Sequence, residues 1–153
     1  MNPLRLVRTL GVVALAACAA ALVAYVAPTV AVGGDAQVQR RSIATVVAGG
    51  FRVQVEAVRV SGEDAAPEAL VRVSAFERRG GTWHRLGDPQ PVMPAPDTDR
   101  FFWHVVTGAG ALKGFSVTTS APQRVELRVL ITPSIGFSDL NRYVVRGGRL
   151  VRA

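Results

Sequence analysis

The chain of 153 residues contains one cysteine, Cys18, and one lysine, Lys113. Both scarcities narrow the chemistry. Cys18 lies in the first 34 residues, so everything after them lacks thiols. That excludes disulfides, thiolate metal sites, thiol nucleophiles and redox pairs from the body of the protein. Its roughly 110 residues must hold together by core burial alone, which suffices above the ~70 to 80 residues at which small folds stop needing covalent staples. Histidine is almost as rare: His84 and His104 are the only two. No G-x-S-x-G elbow, paired-carboxylate signature or H-E-x-x-H spacing accompanies them, so nothing marks a nucleophile with its base. The expectation is a domain with no catalytic residues, no metal and no cofactor.

Charge is missing from one long stretch. Thr9 to Gly34 runs for 26 residues without a charged side chain, directly after Arg5 and Arg8. Within it, Leu10 to Ala27 is apolar throughout, longer than the ~7 to 15 residues of a cleaved signal core and close to the ~20 that span a bilayer. Three readings stay open. The run is a retained membrane helix; or it is a signal peptide cleaved after Ala31, past the helix-stopping Pro28; or Leu15-Ala16-Ala17-Cys18 resembles a bacterial lipobox and Cys18 carries lipid. Each exports the same domain. Arg5, Arg8 and the terminal amine before the run favour an inside N-terminus and an outside domain. The expected division is a leader over 1–34, a linker over 35–41 and an extracytoplasmic β domain over 42–153, with residues 10–32 as the membrane contact.

With Arg5 and Arg8 set aside, 16 basic residues face 11 acidic ones in the exported part. This excess suits an anionic envelope polymer, lipid headgroups or another envelope protein as partner. Nucleic acid is not expected outside the cytoplasm. The arginine–glycine sequences at Arg79-Gly80-Gly81 and Arg146-Gly147-Gly148 are turn chemistry, and Gly108 to Gly114 misses dinucleotide-loop spacing with no helix following.

Beyond residue 34 no helical period is sustained, and short alternating runs take its place. Ile43 to Val47 precedes Ala48-Gly49-Gly50. Phe51 to Ala57 then alternates apolar and polar residues, as a strand with one wet face does. The phase flips at Ala57-Val58, which predicts a bulge or a change of sheet there. After the polar residues Ser61 to Pro67, Val71, Val73 and Ala75 alternate with Arg72 and Ser74, and Gly80-Gly81 turns the chain into Thr82 to Leu86. Pro89, Pro91, Pro94 and Pro96 break the next segment. Phe101 to Val106, Leu112 to Thr119 and Val125 to Thr132 are predicted strands, followed by a hairpin from Arg142 to Arg152 about Gly147-Gly148. The whole predicts one all-β domain, an antiparallel sandwich or open barrel of about eight short strands.

Alternating Leu127, Val129 and Ile131, then Asp139-Leu140-Asn141-Arg142-Tyr143-Val144-Val145, resemble the approach to the tyrosine corner of immunoglobulin-like domains. Val145 stands where antibody domains carry a cysteine. The resemblance implies a two-sheet sandwich with Trp83 as its core tryptophan; it implies no activity.

The candidate binding residues are aromatic. In an extended Phe101 to Val106, Phe101, Trp103 and Val105 share one face, and Phe102, His104 and Val106 the other. Phe102, Trp103 and His104, with Trp83, are therefore candidates for stacking on a sugar ring or anchoring a partner. The alternative is a central strand buried on both faces. Asp88, Asp97 and Asp99 flank the proline-rich segment, but two or three aspartates fall short of the six to eight oxygens that calcium takes. The functional expectation is a non-catalytic, membrane-associated extracytoplasmic domain that binds or supports an envelope component. The alternatives are a small hydrolase using His104 and a carbohydrate-binding module using Trp83 or Trp103.

The alternation predicts that Val53, Val55, Val71, Val73, Leu127, Val129 and Ile131 point inward together. Leu127→Ala should lower the free energy of unfolding by about 2 to 5 kcal/mol in denaturant titration, and a loss within experimental error would mean the facing is wrong.

Overall fold

The computed structural model describes residues 38–60, 67–95 and 100–153. The leader, with Cys18 and Ala31, lies outside the described residues. β1 (Arg40–Ala48) and β2 (Phe51–Val60) form a hairpin through Gly49-Gly50. Both glycines have positive φ, 56° and 76°. A two-residue hairpin turn whose twist matches its strands needs that conformation at both positions, and a Cβ opposes it. Gly80-Gly81 repeats the turn between β3 (Glu68–Arg79) and β4 (Thr82–Arg85). β1 begins at Arg40, inside the segment expected as linker.

The first sheet has the order β1-β2-β3-β4. Strand β3 pairs with β2 along its length on one side. Its other side is tiled end to end by β4, β5 (Gln90–Pro91) and β6 (Phe101–Phe102). Proline breaks this edge into pieces, because Pro91 has no N–H to give a ladder. The second sheet runs β11-β10-β8-β7, from β7 (Leu112–Thr118), β8 (Arg124–Thr132), β10 (Asn141–Arg146) and β11 (Arg149–Arg152). The short β9 (Gly136–Phe137) continues the line of β10 beside β8. Eleven segments thus occupy four positions in each sheet, the all-β architecture expected.

The two sheets share one core. All seven residues assigned inward by alternation are buried, and they join Phe51, Phe101, Tyr143 and Leu150 in a single cluster. At one edge the sheets are stitched by backbone: the Leu150 N–H donates to the Leu86 carbonyl at 2.9 Å. The sandwich is therefore partly closed, towards the open-barrel alternative.

Three expectations need correction. The phase change at Ala57-Val58 is not a bulge in β2, whose ladder with β3 is unbroken from Phe51 to Val60. The irregularity sits in the partner strand, between Ser42 and Ala44 of β1. Phe101 to Val106 is not one strand. After β6 the chain makes a single helical turn, α1 (Trp103–Val106). The ladder stops because the Trp103 N–H spends its bond on the carbonyl of Pro67, which offers no N–H in return. Thr107 closes the turn, its N–H and hydroxyl both donating to the Trp103 carbonyl at 3.0 and 2.7 Å. Val106 is buried completely, and α1 packs on β2, β3, β6 and β8, plugging that end of the sandwich. The third correction concerns Trp83. It stands on the outer face of the first sheet, beside Arg52, and not in the core.

Tyr143 is buried, but its hydroxyl does not bond a few residues upstream as in a tyrosine corner. It donates across the core to the Pro91 carbonyl at 2.7 Å. Two residues earlier on the same face of β10, the buried Asn141 imitates a strand. Its Oδ1 accepts the Met93 N–H and its Nδ2 donates to the Met93 carbonyl, both at 2.9 Å. Nδ2 also donates to the Asp139 carbonyl at 3.0 Å. Buried Ser138 accepts the Val129 N–H at 3.0 Å and donates to the Asp139 carbonyl at 2.9 Å, anchoring the bend between β9 and β10.

Burial pushes the Tyr143 hydroxyl up to about 12, partly offset by the nearby charge of Arg152. Its folded value lies above the ordinary one of about 10. This hydroxyl's contribution is therefore complete below pH ~10 and falls as pH rises from ~10 towards ~12. Tyr143→Phe should cost about 1 to 3 kcal/mol at neutral pH, by stranding the Pro91 carbonyl, and should flatten the alkaline decline. Denaturant midpoints measured against pH for both proteins check this; parallel curves would refute the assignment.

Candidate functional site

The glycine turns gather at one end of the sandwich. The Arg78 N–H donates to the Gly50 carbonyl at 2.8 Å, bringing the first two hairpins together. The second sheet arrives through Leu150 and through Arg149, whose side chain covers Gly87 so closely that a Cβ there would stand 3.2 Å from it. The β10–β11 hairpin, turning on Gly147-Gly148, therefore belongs to the same end.

Arginines concentrate on this end. The first sheet supplies Arg52, Arg78, Arg79 and Arg85; the second supplies Arg124, Arg146 and Arg149. All except Arg52 are exposed. The acids among the described residues here are Glu77, whose carboxylate pairs with Arg79 at 2.6 Å, and the exposed Asp88. One ion pair at the surface neutralises little of such a field.

Strand register builds the centre of the site. Arg52 of β2, Phe76 of β3 and Arg85 of β4 lie in one row on the outer face, and Trp83 lies two residues from Arg85 on that face. The Arg52 guanidinium carbon sits 4.2 Å from the Phe76 ring centre and 4.9 Å from that of Trp83. Arg85 covers Phe76 from 5.6 Å. Phe76 is consequently buried although it faces away from the core. The Arg52 Nε is buried with no hydrogen-bond partner. Among the described residues no carboxylate pairs with this guanidinium. A guanidinium held by stacking keeps its planar fork for a carboxylate or phosphate.

Of the four aromatic candidates, only Trp83 is here. Phe102 pairs with Glu68 and Trp83 faces Arg78, ten residues apart along β3, or roughly 33 Å. Phe102 is half-buried, its ring tilted towards the exposed His104 at 6.3 Å. Trp103 packs against the core. The three do not form a flat platform, because the helical turn replaces strand alternation. His84, exposed, faces Glu77 across the β3–β4 ladder. Among the described residues neither imidazole hydrogen-bonds to an acid or a hydroxyl. No group of three or more potential metal ligands exists among them either; Asp97 and Asp99 lie outside.

The basic members were not singled out by the sequence reading. Part of the signal was present: a two-residue Gly80-Gly81 turn sets Phe76 opposite Arg85 and Arg78 opposite Trp83. Among the described residues no helix is long and apolar enough to cross a membrane, and the leader lies outside them. Comparison with known protein families, with characterised proteins and with solved structures gives no match.

Proposed function

We propose that this is a non-catalytic binding domain, held at the membrane by its apolar leader and facing outside, that takes an anionic envelope polymer at its arginine-rich end. The observation carrying the proposal is the segregation of seven arginines against two acids around the Arg52–Phe76–Trp83 stack. Clustered like charge destabilises the folded domain through self-repulsion, and a polyanion relieves that cost while lowering the local potential. Stacked guanidinium groups present forked donors, suited to repeating phosphate or carboxylate groups. The uncharged run of 26 residues motivates the tether and the location. An immunoglobulin-like relationship draws support from the two-sheet architecture alone and brings no ligand with it.

Other readings have less behind them. A carbohydrate module needs a free aromatic plane, whereas Trp103 packs on the core and Trp83 is engaged by Arg52. A hydrolase needs a base poised by an acid, and His104 has the Phe102 ring as its aromatic neighbour.

Full-length protein in detergent, passed over beads bearing polyphosphate or uncharged dextran, tests the proposal. Polyphosphate should retain it at about 0.1 M salt and release it at about 1 M, as the Debye length falls from ~10 to ~3 Å. Changing Arg78, Arg79 and Arg146 together to Gln should weaken retention on the order of tenfold or more, given the steep charge dependence of polyanion binding. Equal retention on dextran, or insensitivity to the arginine changes, would sink the proposal.

A further inference from the structure

We propose that the opposite end of the sandwich is a membrane-facing surface, resting in the headgroup layer of the bilayer that the chain's own leader spans. This rests on the tethered reading above. Val38 stands six residues beyond Val32, the last residue expected in the membrane, so at most ~20 Å of extended chain separates them. The first strand then enters the fold at the end remote from the glycine turns and their seven arginines, since Arg40 pairs with Val58 near the end of β2.

Exposed apolar side chains collect at that same end. Val38 is 55% exposed, Leu70 50% and Val60 39%. Register places them across the first sheet: the Gln39 carbonyl accepts the Arg59 N–H, Leu70 pairs with Val58, and Val60 pairs with Glu68, which in turn pairs with Phe102. Ile135, 52% exposed, follows the end of β8, where the second sheet meets the loop after α1 through the bond from Leu130 to Ala111. Of the described large hydrophobics that are exposed, only Val47 stands at the arginine end.

Among the described residues, the polar side chains nearby fit an interface. Arg40, Arg41 and Arg59 border the apolar row, with Arg59 bonded to the Gln39 side chain at 3.0 Å. The Glu68 carboxylate is bonded to Arg100. Glu63 and Asp64 in 61–66, and Asp97 and Asp99 in 96–99, lie outside the described residues. Arginine stems lie along apolar surface while their heads reach phosphate, and half-buried aromatics such as Phe102 favour the same layer. An apolar row of this kind on a tethered domain settles into the layer its tether holds it against. β3, with twelve residues, then spaces the arginine end roughly 40 Å from the bilayer.

The full chain, with Cys18→Ala, is prepared with single changes Val60→Cys, Leu70→Cys or Val47→Cys, each carrying a fluorophore. It is reconstituted in phosphatidylcholine vesicles containing headgroup spin-labelled lipid. Quenching at Val60→Cys and Leu70→Cys should exceed that at Val47→Cys several-fold, and adding Arg40→Gln with Arg59→Gln should reduce it. Equal quenching at the two ends overturns the surface. So does a label at position 60 or 70 shielded from aqueous quencher yet untouched by the lipid label, which would show a second copy covering it. A chain that does not float with the vesicles removes the tethered reading and this inference with it, whereas flotation with equal quenching removes this inference alone.

Discussion

The fold depends on a repair. β3 needs a partner on both sides to be a central strand, and the segment available for its second side is interrupted by prolines that cannot donate to a ladder. The missing restraint comes from the opposite sheet. Asn141 and Tyr143, two residues apart on the inner face of β10, reach through the core to grip Met93 and Pro91 by their backbones. A side-chain amide carries the same carbonyl and N–H pair as a peptide, so Asn141 stands in for the absent strand. Buried polar groups are costly when unpaired, and here the hydrogen bonds converge on the segment that lacks its own.

That clamp also explains how a thiol-free core keeps its two layers in register. Hydrophobic burial is non-directional: valines on facing sheets bury similar area over a range of offsets. The bonds from β10 to residues 91–93, and from Leu150 to Leu86, fix one offset along one edge. They bring Arg149 over Gly87 and so join the two hairpins that carry most of the arginines. The basic end is thus a consequence of core packing as well as of surface composition.

How much of this was legible depended on distance along the chain. Alternation placed Val53, Val55, Val71, Val73, Leu127, Val129 and Ile131 inward, because a strand with one wet face writes its facing into every second residue. The Gly80-Gly81 and Gly147-Gly148 hairpins were equally readable from local turn chemistry. Phe101 to Val106 was misread since its end depends on Pro67, more than thirty residues earlier, running out of donors. Tyr143 was seen in a suggestive local pattern, yet its partner lies 52 residues away and no local pattern names it. The site suffered likewise: Phe76 opposite Arg85 followed from a turn, but Arg52 opposite Phe76 required the β2–β3 register, set across a connection without a turn signature.

The two ends of the sandwich differ in what they can meet. A partly closed pair of sheets leaves its strand ends as places where sequence can change without disturbing the core. At one end, tight glycine turns let arginines stand close together, and Phe76 and Trp83 hold one guanidinium flat against the sheet. At the other, valine, leucine and isoleucine stand in solvent around the plug of α1. A tether ahead of residue 38, as proposed, would give this asymmetry a direction: the apolar end would face the surface that holds it, and the arginine-rich turns would face away. Attachment at the other end would instead set the arginine-rich turns against the tether and leave the exposed Val38, Val60 and Leu70 facing water.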